Sequence, residues 1–175
     1  TDGGINWSKV SNRTLIQDLK ATPGNFNIQY ATERFVGVIK SVDAGVTWTL
    51  STVGLTPSIG STGSGRVEIA VSPVKTNRVF ASVQGNFSGT GSDLYISEDA
   101  GNLWVPVNVT FNNQNVDFLG GQGWYDNTIA CDPFNADIVY YGGVNLFRSQ
   151  LSGSSTTTSY GVQDETGFLS LVNFS

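Results

Sequence analysis

Apolar and polar residues alternate along this chain in short runs, and nowhere with the spacing of a long amphipathic helix. Leu19 and Ala21, Ile69 and Val71, and Ile129 and Cys131 each share one face of an extended run at period two, the signature of a half-buried β-strand. Each run leads into a Pro turn: LKATP at 19–23, IAVSP at 69–73 and IACDP at 129–133. After each Pro the register holds without a gap, with Asn27, Asn77 or Asp137 four residues on and Tyr30, Phe80 or Tyr140 seven residues on.

A second landmark falls between these runs. Asp2, Asp43 and Asp99 are each followed by Gly two residues on (Gly4, Gly45, Gly101) and by Trp five residues on (Trp7, Trp48, Trp104). Ser41 and Ser97 stand two residues before the Asp, and Thr47 completes the copy at 41–48. A fourth copy, SQLSGSST, keeps Ser149 and Gly153 but carries Leu151 and Thr156 where Asp and Trp belong.

Two landmarks in fixed order define a unit of strand, Pro turn, strand, variable loop, strand, Asp turn, strand. Such a four-stranded antiparallel meander of roughly 50 residues is the size of one propeller blade. The sequence therefore predicts an all-β fold, a β-propeller present as an incomplete set of about three and a half blades. Residues 1–14 end a first blade, 15–53 and 66–109 are complete, 127–160 form a fourth, and 161–175 leave room for the start of another. The remaining blades are expected in a longer parent chain.

Composition narrows the chemistry. Twenty-one glycines and only 13% charged residues suit a protein of many tight turns. The absence of His excludes imidazole catalysis and Cys/His zinc sites. Cys131 has no second Cys to pair with and is expected to be a small buried filler. A net charge of −5 with nine scattered Lys and Arg offers no basic stripe for nucleic acid. No apolar run reaches the ~18 residues of a membrane span, so membrane insertion is not expected, and neither is a cofactor or a metal. Five Asn-x-Ser/Thr sequons (Asn6, Asn12, Asn86, Asn108, Asn173) would matter only in a glycosylating host.

The pattern Ser-x-Asp-x-Gly-x-Thr-Trp at 41–48 resembles the Asp-box, or BNR repeat, of sialidases, sortilin-type propellers and xyloglucan-hydrolase-like propellers. The unit IACDPFNADIVYYGGVNLFRS resembles those of large secreted or surface propeller proteins of Bacteroidetes-type bacteria, often labelled glycosyl hydrolase. The resemblance implies a secreted or cell-surface protein and a propeller fold. It fixes no activity, because such propellers do unrelated jobs.

Within the unit the Asp turn has a structural reading. Ser and Asp side chains can bond the backbone of their own turn, Gly supplies a positive φ, and Trp opens the last strand and packs on the neighbouring sheet. A catalytic carboxylate couple would need two acids converging on one bond, which turns spread around a rim do not provide. Geometry places the variable loops 51–65, 84–93 and 108–127 on the opposite face, the usual location for binding.

There GGQGWYDN, at 120–127, offers Gln122, Trp124, Tyr125 and Asp126 as an aromatic platform beside hydrogen-bonding groups, suited to a glycan. The competing reading has Trp124 and Tyr125 plugging the space between blades. Asn86, Phe87, Arg34, Glu33 and Arg66 are placed on the same face.

The five arginines fall at unlike places in the unit, against the arginine cluster that the sialidase resemblance implies. Nothing in the sequence pairs Glu33, Asp93, Asp117 or Asp126 as a catalytic couple, so the catalytic residues stay unknown. The expected function is a non-catalytic binding or structural segment for a glycan or protein ligand. The alternative is part of a glycoside hydrolase propeller, xyloglucanase-like rather than sialidase, with catalytic residues partly outside this chain. A sortilin-like receptor gripping peptides inside the ring is a third reading.

Overall fold

The computed structural model describes residues 3–55, 65–85, 92–111, 114–151 and 162–163. The readings placed on Asp2, Asn86, Phe87, Gly153 and 164–175 lie outside these residues. The described residues are all strand, turn and loop, without a helix.

Three four-stranded antiparallel sheets follow one another, each strand paired with its sequence neighbour. The first contains β1 (Ile16–Thr22), β2 (Asn25–Glu33), β3 (Gly37–Ser41) and β4 (Thr49–Leu50). The second contains β5 (Val67–Val71), β6 (Val79–Gln84), β7 (Ser92–Ser97) and β8 (Val105–Val107). A two-stranded ribbon, β9 (Thr110–Phe111) with β10 (Gln114–Asn115), precedes the third sheet. That sheet contains β11 (Thr128–Cys131), β12 (Ile138–Gly142), β13 (Leu146–Gln150) and β14 (Val162–Gln163). The fold is thus a partial β-propeller. The third sheet takes its last strand from 162–163, beyond the bound at 160 expected from sequence. The copy of the turn in that sheet lacks Asp and Trp, the two residues that set the register elsewhere.

Period-two alternation sends β5, β6 and β7 of the middle sheet into two cores, one at each seam between sheets. Val67 and Ile69 of β5, Val79, Ala81 and Val83 of β6, and Tyr95 of β7 face the first sheet, where they meet Tyr30, Val38, Leu55 and Trp104. Ala70, Phe80, Leu94 and Ile96 face the third sheet and meet Phe118, Leu119, Ile129, Val139 and Tyr141. Cys131 is only partly buried and packs against this second core; burial pushes its thiol up to about 12, so it stays an unreactive neutral thiol.

The opposite face of the first sheet differs from the expectation. Leu19, placed by the alternation on an apolar face, is 58% exposed, and Trp7 is 89% exposed. Residues 3–15 form no strand, so among the described residues no sheet covers that side of β1.

A buried arginine ties the second seam. Arg78 donates from Nη1 to Ala136 O and Asp137 Oδ1, each at 2.6 Å, and from Nη2 to Glu98 Oε1 at 2.7 Å. The equivalent positions in the other units are Ile28 and Ile138, so this tie belongs to one seam only.

Candidate functional site

The Asp turns come first, because the repeated polar cluster is the feature most easily mistaken for a site. In the turn at 41–48, Ala44 and Gly45 adopt left-handed φ of 60° and 87°; in the turn at 97–104, Ala100 and Gly101 do the same at 59° and 83°. This pair folds the chain back so that its own side chains reach its amides. Ser41 Oγ donates to Asp43 Oδ1 at 2.7 Å and accepts from the Gly45 amide at 2.9 Å. Asp43 also accepts from the Thr47 amide at 2.8 Å and the Thr47 hydroxyl at 2.5 Å.

These Thr47 and Ser41 donors hold the Asp43 carboxyl down at about 2. A carboxylate that is ionised and saturated with donors at neutral pH has no proton to give and little basicity to offer. Asp99 is bonded the same way. Burial works to raise its pKa, but the Leu103 amide, the Ser97 hydroxyl and the Asn102 amide outweigh it, and the net direction is down. The fourth copy carries Leu151 in place of the Asp, and its Ser149, buried, bonds the Tyr141 hydroxyl at 2.7 Å.

The three Trp residues of the turns occupy different surroundings. Trp104 is 1% exposed; its indole N–H donates to Ser51 O and its amide to Val53 O, both at 2.8 Å. The second sheet's turn is thereby stitched to the chain leaving β4. Trp7 and Trp48 bond back to the carbonyls of Gly4 and Gly45, each at 2.9 Å. The Trp104 indole thus reaches across to another segment, whereas those of Trp7 and Trp48 close on their own turns.

On the opposite face the structure builds a platform from the loop between β10 and β11. Phe118 and Leu119 sink into the second core at 2% and 1% exposure. At the far end Asn127 is buried, donating to Ser82 O at 3.0 Å and accepting from Ser82 Oγ at 2.6 Å. Gly123 packs so tightly that a Cβ there would stand 2.6 Å from Leu119 Cδ1.

Between these anchors Trp124 and Tyr125 project outward, 61% and 49% exposed. Their rings meet edge to face with centroids 4.3 Å apart, and the Tyr125 hydroxyl donates to Gln122 Oε1. The aromatics therefore do not plug the seam; Phe118 and Leu119 do. Asp126 Oδ1 is buried with no hydrogen-bond partner among the described residues, and it lies against Gly143, where a Cβ would stand 2.7 Å away.

Arg34 sits apart from this loop, on the β2–β3 turn. Its guanidinium lies 4.8 Å over the Phe35 ring, and Phe35 holds a left-handed φ of 66°, an unusual state for a bulky residue. Glu33 is engaged by Arg13 at 2.6 Å, Arg66 by Glu68 at 2.7 Å, and Arg78 by Glu98 and Asp137. With Arg13, Arg66 and Arg78 in separate ion pairs and Arg34 over the Phe35 ring, no arginine cluster forms among the described residues. Nor do three His, Cys, Asp or Glu side chains gather there as metal ligands.

Sequence reasoning missed one acidic pair. Asp18 and Glu68 stand at the same position of the repeat, directly before Leu19 and Ile69, and Asp18 Oδ2 accepts from the Ile69 amide at 2.9 Å, so that its charge helps raise the Glu68 carboxyl after burial has done so. The available signal was that shared position, but acids on strands were not weighed beside those on loops.

No family model matches this chain, and no curated protein does. Among solved structures it is similar to an ancestral GH74 enzyme, with 19% identity over 88% of this chain and 19% of that one, at a TM-score of 0.53. It is also similar to YCF48 from Cyanidioschyzon merolae, with 8% identity over 85% of this chain and 40% of that one, at a TM-score of 0.55. The chain thus spans less than half the length of either structure. Likeness at such identities is one of fold, and both agree with blades of a propeller.

Proposed function

We propose that this chain is a binding segment of a secreted or cell-surface Asp-box β-propeller, and that its loop face takes a glycan. The carrying observation is the exposed Trp124–Tyr125 pair, braced by Gln122 and anchored at both ends by buried residues. An exposed aromatic pair costs solvation that packing does not return, and pyranose faces stack on such rings while hydroxyls take up neighbouring amide groups. The rigid anchoring lowers the ordering cost of binding.

A glycan array that includes xyloglucan oligosaccharides tests this reading. Trp124→Ala is expected to weaken the best-bound glycan about tenfold or more. Because the indole is mostly solvated, the same variant should unfold within about 0.5 kcal/mol of the parent chain. Unchanged binding in Trp124→Ala would remove the platform from the account.

The fold likeness to an ancestral GH74 enzyme favours one second reading, that the parent protein is a glycoside hydrolase with catalytic residues partly outside these blades. Release of reducing ends from xyloglucan by the full-length protein would support it. Binding without turnover would leave the binding module.

A further inference from the structure

The Pro hairpins and the Asp turns emerge on one side of the three sheets, and hydrogen bonds knit them into a continuous face. Within a sheet, Asn27 O accepts from the Ala44 amide at 3.0 Å and Asn77 O from the Ala100 amide at 2.7 Å. Across the first seam, the hydroxyl of Ser51, which follows β4, donates to Gly101 O. Across the second, Arg78 reaches Ala136 O and Asp137 Oδ1 of the next Pro hairpin. The turn at 41–48 closes through Ser41, Asp43, Gly45 and Thr47, and between them stand Val42 and Val46. Leu103 holds a like place in the turn at 97–104, and Phe26, Val74 and Phe134 stand at the three Pro hairpins. All six side chains are at least 48% exposed, and Phe134 is 90% exposed. Turn positions that face water are ordinarily polar, and apolar side chains gathered on a surface mark a place of contact.

Charge says what kind of partner fits. Over 22–28, 41–48, 72–78, 97–104 and 132–137 stand five acids, Asp43, Glu98, Asp99, Asp132 and Asp137, against two cations, Lys75 and Arg78. Both cations are already paired, Lys75 with Glu98 at 2.8 Å and Arg78 with Glu98 and Asp137. Asp43, Asp99 and Asp132 accept from the Thr47, Leu103 and Phe134 amides, neutral donors that keep a carboxylate ionised and leave its charge uncancelled. A second copy of the chain docked face to face, or an anionic lipid surface, would meet this charge with like charge.

We propose that the Asp-turn face docks a polypeptide segment of opposite charge, one that presents Lys or Arg beside apolar side chains. Apolar anchors such as Phe134 supply the contact area, while the carboxylates steer the approach and select the sign of the partner. This surface lies on the opposite face from the Trp124 platform and stands whether or not that platform takes a glycan.

A methyl NMR titration of the full chain with two synthetic peptides tests this, one alternating Lys with Leu and one alternating Glu with Leu. The Lys peptide is expected to shift the methyl resonances of Val42, Val46, Val74 and Leu103 and to leave those of Leu15 and Val144, on the loop face, in place. Its binding should weaken several-fold when salt rises from about 0.05 M to about 0.5 M. Val46→Ser combined with Phe134→Ser should weaken it about tenfold or more and melt like the parent chain, since both side chains are mostly solvated. If that double variant does not fold, Phe134→Ser alone carries the comparison, with a loss of at least about threefold. No saturable binding of the Lys peptide, equal binding of the Glu peptide, unchanged affinity in the variants, or shifts confined to the loop face would each overturn the proposal. So would self-association, or adhesion to phosphatidylserine vesicles, that the same substitutions abolish.

Discussion

Trp104→Ala lowers the unfolding free energy by about 3–5 kcal/mol, whereas Trp48→Ala costs under about 1.5 kcal/mol and Trp7→Ala almost nothing. All three residues occupy the same position of the same turn, so the sequence ranks them equally. Their burial does not: Trp104 is 1% exposed, Trp48 is half-buried and Trp7 is 89% exposed. Trp104→Ala leaves a void among Tyr30, Leu55 and Val67 and strands the Ser51 carbonyl that its indole N–H satisfies, adding an unmet acceptor to the lost contact area. Chemical denaturation of the three variants measures the ranking, and equal losses would contradict the seam as the seat of stability.

Gly54→Ala is the second large effect, about 2–5 kcal/mol. Its φ of 88° is left-handed, a state that costs a residue with a Cβ roughly 1–2 kcal/mol. Its Cβ would also stand 2.0 Å from Trp104 O, so backbone must move, and overpacking of that kind costs roughly 1–3 kcal/mol more. The strain reaches the bond that Trp104 N–H makes to Val53 O. Comparing denaturation midpoints with Gly24→Ala makes the test specific, since Gly24 has a similar φ of 75° with nothing within 4 Å of an added Cβ. Equal losses at both positions would mean that φ alone matters and the seam contact does not.

Much of the fold is legible in the chain because the repeat carries its own register. Pro23, Pro73 and Pro133 mark the first hairpin of each sheet, and the Asp turns mark the last. The boundary at 162–163 was not legible, because Leu151 stands where the clasp needs Asp. Even the backbone bond has shifted there. Asn27 O and Asn77 O accept from the residue after the turn Asp, Ala44 and Ala100, whereas Asp137 O accepts from Leu151 itself, one position earlier.

The candidate site was legible in position and less so in arrangement. Sequence could place Gln122, Trp124, Tyr125 and Asp126 on a variable loop, but the choice between plug and platform depended on which aromatics enter the core. Phe118 and Leu119 take that role, and their spacing in an irregular loop gives no periodic signal. The bond from the Ile69 amide to Asp18 joins strands some 50 residues apart, which only the packing of neighbouring sheets creates.

The most direct test of the division between clasp and site is a glycan array read side by side for the parent chain, Asp43→Ala and Trp124→Ala, with melting temperatures recorded for each. The account predicts that Asp43→Ala melts lower yet keeps the parent's glycan profile, and that Trp124→Ala melts like the parent and loses it. Loss of the profile in Asp43→Ala at an unchanged melting temperature, with Trp124→Ala still binding, would contradict it.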